Sequence, residues 1–185
     1  MNPSAQAQPD PLTLAAFHRA LAEHADALKT FATRLLRDPM AAEDIAQDAF
    51  LALYRHLHEV PENAFRPWLY RVARNLCLDQ LRRRKFKLRL FRDVAREDEP
   101  EPVPVDTRHD RPEDAAHARE VQVRIHAAIE ALPVRFREAF LLCEMQGLSY
   151  EDAAAILNCP VKTVSTRLFR ARQRFKEALG DLIRV

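Results

Sequence analysis

The chain has 185 residues, 48% hydrophobic and 30% charged, which fits one medium-sized domain or two small ones with apolar cores. Its two glycines nearly exclude glycine-rich phosphate loops, and no run of 18 apolar residues is present to span a membrane. Three cysteines predict no disulfide framework, and the N-terminus lacks a signal-peptide pattern. We therefore expect a protein of the reducing cytoplasm without membrane insertion.

The formal net charge of +2 hides an uneven distribution along the chain. Residues 82–96 contain eight bases and one acid, whereas residues 97–114 contain eight acids and two bases. Residues 161–176 contain six bases and no acid. Two basic blocks indicate a polyanionic partner, although a merely solvated face is the alternative for either block alone.

The acidic stretch between the basic blocks has the composition of a flexible linker. Its prolines are Pro100, Pro102, Pro104 and Pro112. Charge, proline and low hydrophobicity together prevent the burial of a core. We therefore expect a disordered tail at 1–9, a helical domain at 10–91, a linker at 92–117 and a second helical domain at 118–185. The predicted fold is all-α, with two small helical domains joined by a flexible linker.

The first domain has clear helix-start signals. Asp10-Pro11 and Asp38-Pro39 each pair an N-cap residue with a proline suited to the first turn. Apolar residues then recur at helical spacing after each pair. A third helix is predicted from about residue 64 to residue 86, with its last turns in the first basic block.

That third helix mixes aromatic with basic side chains. They are Phe65, Arg66, Trp68, Tyr70, Arg71 and Arg74, followed by Asn75. Aromatic faces stack on unpaired bases while arginine neutralises phosphate, so the pattern is typical of single-strand binding. The competing interpretation, which we favour for Trp68 taken alone, places these aromatic residues in the core.

An acidic cluster, formed by Glu43, Asp44 and Asp48, precedes the predicted third helix in the chain. Such carboxylates serve as general acids or metal ligands, but no nucleophile, glycine loop or cysteine pair accompanies them. Acids in a first helical turn also complement the helix dipole. Because Asp44, Gln47 and Asp48 share one helix face, a protein–protein contact suits them as well. We expect no enzyme activity, metal or cofactor.

The second domain ends in a predicted helix-turn-helix. Gly147 closes one helix, Ser149 and Asp152 form a capping box for a short one, and residues 158–160 turn the chain into the last. The outward face of this last helix carries Lys162, Thr163, Thr166, Phe169, Arg170 and Gln173. A helical wheel puts Ser165 nearer the core. Arginine, glutamine and threonine can read base edges, while a helical hairpin with a wet basic face is the alternative.

Several segments resemble known motifs when taken in order. Residues 42–50 (AEDIAQDAF), 68–76 (WLYRVARNL) and 79–84 (DQLRRR) resemble region 2 of bacterial RNA polymerase sigma factors. Residues 147–154 (GLSYEDAA) and 160–172 (PVKTVSTRLFRAR) resemble region 4. Two such regions with no region 3 between them resemble the extracytoplasmic-function group.

The resemblance implies a role for each candidate residue. It assigns binding of core RNA polymerase to Asp44, Gln47 and Asp48. It places Glu62, Asn63, Ala64, Arg71 and Asn75 where the opened minus-ten strand is held. It places Ser165, Thr166, Phe169 and Arg170, to which we add the outward-facing Lys162, where the recognition helix meets the minus-thirty-five promoter DNA.

The chain also departs from the common pattern. Pro61 stands where many members have glycine and cannot copy its backbone freedom. Lys162 replaces a common glycine, Ser165 a common basic residue and Cys143 a common arginine. The usual base preferences therefore cannot be assumed.

The resemblance predicts a dissociable sigma factor that assists promoter melting in a stress or envelope response, with an anti-sigma factor as a further partner. Two alternatives stay open. One is a helix-turn-helix regulator that binds an operator directly, and the other is an adaptor that sequesters another protein. The whole first domain favours the sigma factor, since a simple regulator does not require it.

Overall fold

The computed structural model describes residues 10–92 and 113–180. All regular structure in these ranges is helical, so the predicted all-α fold of two helical domains is confirmed. The first domain contains α1 (Pro11–Leu36), α2 (Pro39–Arg55), a 3-10 turn (Glu62–Ala64) and α3 (Phe65–Arg92). The second contains α4 (Glu113–Ala131), α5 (Val134–Phe140), a π-helical turn (Leu141–Met145), α6 (Tyr150–Leu157) and α7 (Val161–Ala178).

The first domain is a bundle in which α1, α2 and α3 pack on one another. Asp10 accepts hydrogen bonds from the first backbone amides of α1, and Asp38 caps α2 in the same way, as the sequence predicted. The largest fully buried side chains here are Leu28, Phe31, Leu35, Leu53, Leu69 and Tyr70. Burial of these apolar groups is the main stabilising contribution to the bundle.

The second domain builds its core where α5 and α6 pack on α7. The side chain of Ser149 accepts the Asp152 amide hydrogen, which confirms the predicted cap of α6. Gly147 has a φ of +62°, a conformation that L side chains rarely adopt, so glycine ends the π-helical turn here. The fully buried side chains are Ile129, Leu132, Leu141, Leu142, Val164 and Leu168.

The helix bounds differ from the predicted ones around the linker. α3 continues past residue 86 to Arg92, and α4 begins at Glu113 instead of residue 118. Neither extension contains a proline or glycine to end the helix. The predicted tail at 1–9 and residues 93–112 of the predicted linker lie outside the described residues. Within 10–92 and 113–180, no helix is both long and apolar enough to cross a membrane.

The two domains pack against each other. α3 of the first domain contacts α6 of the second, and α1 contacts α4 and α5. The faces through which each domain could meet an outside partner are therefore only those left uncovered by this packing.

Candidate polymerase and promoter interfaces

The acidic face of α2 is open to solvent. Asp44, Gln47 and Asp48 are all exposed and lie within one helical turn of each other. The neighbouring Glu43 forms an ion pair with Lys29 of α1, and this hydrogen bond holds the pKa of its carboxyl below the ordinary value. Glu43 is thus occupied within the domain and also accepts a hydrogen bond from the Gln47 side chain, while the carboxylates of Asp44 and Asp48 are exposed.

Beside this face lies a cleft that the sequence did not predict. It has a volume of about 440 Å³ and runs between α1 and α2. Its walls are largely apolar, with Phe17, Leu21, Phe50 and Leu51 contributing, and Gln47 stands at its edge. Leu21 is 39% exposed beside the cleft. An acidic rim next to an apolar floor suits a basic, amphipathic helix of a partner.

The residues expected at the minus-ten strand lie on the 3-10 turn and on α3, and we call this set the strip. Glu62, Asn63 and Ala64 make the 3-10 turn that leads directly into α3. Glu62 pairs with Arg19 of α1 at 2.7 Å between Nη2 and Oε1, which ties the turn to the bundle. Arg71 and Asn75 are exposed and stand one turn apart on α3. At 1.5 Å per residue, the strip extends for roughly 20 Å.

A second face of α3 is covered by the second domain. The Tyr70 hydroxyl donates to Oε1 of Gln146 at 2.6 Å, and Arg66 donates to the Gln146 carbonyl. Nε of Arg74 lies 2.6 Å from Oε1 of Glu138, and the two side chains are only 14% and 4% exposed. Burial raises the pKa of Tyr70 to about 12. This face is therefore engaged within the molecule.

Two consecutive residues of α5 carry buried charge. Arg137 donates to the carbonyls of Glu130 and Leu132 in its own domain and of Leu35 in α1, the last at 3.2 Å. Burial lowers the pKa of its guanidinium to about 10. Its neighbour Glu138 reaches the first domain through Arg74. The second domain thus contacts the first through charged groups removed from water.

The outward face of α7, the helix expected to meet promoter DNA, is exposed to solvent. Val164, Leu168 and Ala171 anchor the helix in the core. The exposed residues are Lys162, Ser165, Thr166, Phe169 and Arg170. Asn158 turns the chain before α7 with a φ of 50°. The Thr166 hydroxyl donates to the Lys162 carbonyl at 2.9 Å. The hydroxyl oxygen can still accept a hydrogen bond from a ligand, and the Thr166 methyl group can make an apolar contact.

Comparison with known proteins decides between the open alternatives. The sigma-70 region 2 family matches residues 21–87, and the sigma-70 region 4 family matches residues 122–175. The RNA polymerase sigma-H factor of Pseudomonas aeruginosa is 38% identical over 82% of this chain and 79% of its own length. The extracytoplasmic-function factor SigW of Bacillus subtilis is 36% identical over 80% and 81%.

This chain belongs to the extracytoplasmic-function sigma factors. The SigE factor of Mycolicibacterium smegmatis is also 32% identical over 92% of the chain, and the chain spans 64% of that relative's length. In solved structures, the sigma factor RpoE of Bartonella quintana in complex with the anti-sigma factor NepR aligns with a TM-score of 0.70. That alignment has 28% identity and covers 89% of this chain and 96% of the other.

A second solved structure, CnrH in complex with the cytosolic domain of CnrY, aligns with a TM-score of 0.63 and 25% identity. It covers 92% of this sigma factor and 96% of that chain. Sigma factors are transcription initiation factors without enzymatic activity. In the described part of this one, no group of three or more His, Cys, Asp or Glu side chains is placed to hold a metal ion.

The structure corrects one placement made from helical periodicity. Ser165 is exposed, although the wheel put it nearer the core, because the buried stripe of α7 is narrow and limited to Val164, Leu168 and Ala171. Met145 ends the π-helical turn and is 40% exposed. Its sulfur accepts a hydrogen bond from Arg34 of the first domain.

Trp68 is partly buried against the core of this sigma factor, with its ring centroid 6.1 Å from that of His56. Trp68 is therefore neither fully free to stack on an unpaired base nor fully enclosed in the core. The cleft and the polar contacts between the domains were missed from the sequence. Leu51 lines the cleft and is 52% exposed.

Proposed function

We propose that this sigma factor is a dissociable subunit without catalytic activity that brings core RNA polymerase to specific promoters in the cytoplasm and assists their melting. The observation that carries the proposal is the pair of oppositely charged exposed faces on the two domains. The first domain presents acids on α2 next to an apolar cleft, and the second presents a basic helix-turn-helix. We also propose the domain bounds 10–91 and 118–185, with residues 92–117 as the linker.

The acidic face and its cleft form the proposed contact with core polymerase. Asp44 and Asp48 are both exposed, so a basic surface of the partner is attracted by both carboxylates. Gln47 offers a donor and an acceptor at the edge of the apolar cleft. Charge then guides the encounter, and burial of the cleft supplies the contact area.

Promoter recognition is divided between α3 and α7. Glu62, Asn63 and Ala64 form the proposed site for the opened minus-ten strand, with Arg71 and Asn75 beside them on α3. Lys162, Ser165, Thr166, Phe169 and Arg170 form the proposed minus-thirty-five surface. An α-helix fits the major groove of duplex DNA, where arginine makes bidentate contacts to guanine and a threonine methyl meets that of thymine.

An anti-sigma factor is the proposed regulatory partner. Two structurally similar sigma factors are known in complexes, one with the anti-sigma factor NepR and one with the cytosolic domain of CnrY. A partner of this kind would control a stress or envelope response by covering the faces that polymerase needs. The cleft between α1 and α2 is a suitable seat for an amphipathic helix of such a partner.

The proposed function is tested by adding the purified chain to core RNA polymerase with a library of promoters randomised at both elements. We expect transcripts only when chain and core are combined, with enriched bases at two positions separated by a fixed spacer. A chain that binds tight operators without core would instead be the operator-binding regulator. A chain that fails to bind core in a competition assay would refute the sigma activity altogether.

A further inference from the structure

The last turns of α3 extend beyond the bundle of the first domain. Arg84 is partly buried and donates to the Leu36 carbonyl and the Asp38 carboxylate, where α1 ends and α2 begins. All residues from 85 to 89 are exposed, so the described chain, residues 10–92 and 113–180, does not cover this segment. We call residues 83–89 the helix end.

The helix end combines exposed apolar side chains with positive charge. Phe86 is 65% exposed and Leu88 is 52% exposed, and large apolar groups left open in this way mark contact surfaces. Phe86 lies three residues from both Arg83 and Arg89, so these three side chains share one face of the helix. Both arginines are exposed. An aromatic ring flanked by guanidinium groups is typical of protein–protein interfaces, where both residue types are enriched.

The cleft between α1 and α2 has the complementary chemistry. Its lining includes two acids and one base, namely Asp26, Glu43 and Lys29. Lys29 is already paired with Glu43. Asp44 and Asp48 add two exposed carboxylates within one helical turn of Gln47, which lines the cleft. The cleft, of about 440 Å³, therefore offers an apolar floor to an aromatic ring and a negative rim to the guanidinium groups beside it.

The helix end cannot enter the cleft of its own chain. α3 is one helix from Phe65 to Arg92, and no proline or glycine allows its last turns to bend back. It starts beside Arg19 of α1, which pairs with Glu62, and runs parallel to α1 until it passes the end of that helix. The cleft lies behind this point, since its lining residues on α1 end about 10 Å before Leu36.

We propose that the helix end of one copy docks into the cleft of a second copy, and that the second copy returns the same contact. Because each copy carries both surfaces, a two-fold axis closes the assembly as a dimer. The helix end spans only about 10 Å, so one contact is small against the roughly 1,200 Å² that a stable interface buries. The reciprocal pair doubles the buried area and gives a weak dimer that forms at high concentration.

The dimer uses the same cleft that core polymerase is proposed to bind, and in this respect the inference rests on the proposed function. One cleft cannot hold both occupants, so self-association and core binding exclude each other. Binding of core to the single chain draws dimers apart by mass action. The dimer thus covers the exposed cleft and the exposed Phe86 of chains that are not engaged with polymerase.

The experiment measures the mass of the free, full chain by sedimentation equilibrium over a range of concentrations. We expect dimers at about 100 μM and monomers at about 1 μM, because the contact is small. Phe86→Asp removes the aromatic ring and places a like charge against the acidic rim. It should raise the dissociation constant of the dimer at least about tenfold. Since Phe86 is exposed, this variant keeps its fold.

Charge reversal tests the pairing of the two surfaces. One variant combines Asp44→Arg with Asp48→Arg, and the other combines Arg83→Glu with Arg89→Glu. Each variant alone brings like charges together at both of its contacts, so it should stay monomeric at about 100 μM. A mixture of the two variants restores opposite charges at both contacts, so we expect heterodimers to form.

Val123→Asp is the matched control for Phe86→Asp. Val123 is 60% exposed, close to the exposure of Phe86, but it lies on α4 in the second domain. The control places the same acid on an exposed apolar position outside the helix end and the cleft. Its dimer dissociation constant should therefore equal that of the wild type.

Loss of dimers in both charge-reversed variants and their return in the mixture support the proposal. A wild-type chain that stays monomeric at about 100 μM overturns it, as does a dimer that persists in Phe86→Asp. A monomeric wild type whose affinity for duplex DNA falls in the variant with Arg83→Glu and Arg89→Glu also overturns it, and assigns the helix end to nucleic acid instead.

Addition of core polymerase separates this proposal from the sigma function. Dimers should convert to complexes with one chain per core, because both contacts need the cleft. Complexes with two chains per core would overturn the shared use of the cleft. Dimers that form while no complex with core appears would overturn the proposed function and leave the self-association in place.

Discussion

The two domains differ in where they keep their charged residues. The first domain exposes acids on α2, and its buried side chains are all hydrophobic or aromatic among those described. The second exposes bases on α7 but buries Arg137 and Glu138. The acids on α2 and the bases on the outward face of α7 are exposed to solvent, whereas the interior charges of the second domain serve its own fold and its contact with the first.

This difference separates partner binding from stability. A surface charge that contacts only solvent contributes little to folding, so its loss is felt when a partner arrives. A buried charge that hydrogen-bonds several backbone groups leaves them short of a donor when it is removed, so its loss lowers the stability of the fold itself. Variants that change a surface charge should weaken partner binding and leave stability unchanged, whereas variants that remove a buried charge should lower the free energy of unfolding.

Reversal of the acidic face tests the first half of this comparison and has the largest expected effect. Asp44→Arg combined with Asp48→Arg places like charges against the basic surface of core polymerase, which costs several kcal/mol of binding free energy. We expect core affinity to fall by at least 100-fold in a competition assay, with an unchanged thermal unfolding temperature. Unchanged affinity for core would refute the assignment of this face.

Removal of the buried guanidinium tests the other half. Arg137→Met preserves much of the side-chain volume but leaves the carbonyls of Leu35 and Leu132 without this donor, and the Glu130 carbonyl with Arg37 in place of two arginines. Loss of these bonds should lower the free energy of unfolding by about 3 kcal/mol. The measurement is urea unfolding of the full chain. Arg135→Met, on the same helix, is the control and should change stability by less than about 1 kcal/mol.

The sequence predicted the parts of the fold that depend on local signals. The caps at Asp10, Asp38 and Ser149 were all found because N-cap residues act on amides only two or three positions away. The helix-turn-helix followed from a short helix, a turn and an apolar stripe on α7.

Features that depend on distant contacts were not predictable in the same way. Glu138 reads as an ordinary exposed helical acid until α3 is placed against it, and the contact with Arg74 joins residues 64 positions apart. The cleft beside Gln47 likewise requires the angle between α1 and α2. Ser165 was misplaced because a wheel assumes an apolar stripe of average width, whereas the stripe of α7 is narrow.

Recognition by the exposed face of α7 gives a smaller effect than either charge change. Arg170 is exposed and lies where a guanidinium can reach a guanine edge. Arg170→Ala should cost about 1–3 kcal/mol of promoter binding, mainly by relaxing the preference at one base pair. A transcribed library randomised at the upstream element measures this. Lys176→Ala, near the C-terminus of α7, is the control and should lower promoter affinity evenly across sequences or leave it unchanged. If Arg170→Ala keeps the wild-type base preferences at every position, Arg170 only positions the helix.

The smallest effect probes the domain contact through the titration of Tyr70. Burial raises the pKa of its hydroxyl to about 12, above the ordinary value of 10. A raised pKa in the folded state means that the stabilisation is complete below pH 10 and is lost as the pH rises through 12. Relative to Tyr70→Phe, the wild type should therefore lose about 1.4 kcal/mol of unfolding free energy between pH 9 and pH 11.

Urea unfolding at the two pH values measures this difference, and Tyr54→Phe, which changes a tyrosine that is 44% exposed, is the control. Parallel pH dependence of wild type and Tyr70→Phe would mean that the hydroxyl is in contact with water, and that the second domain does not cover this part of α3 in the free chain.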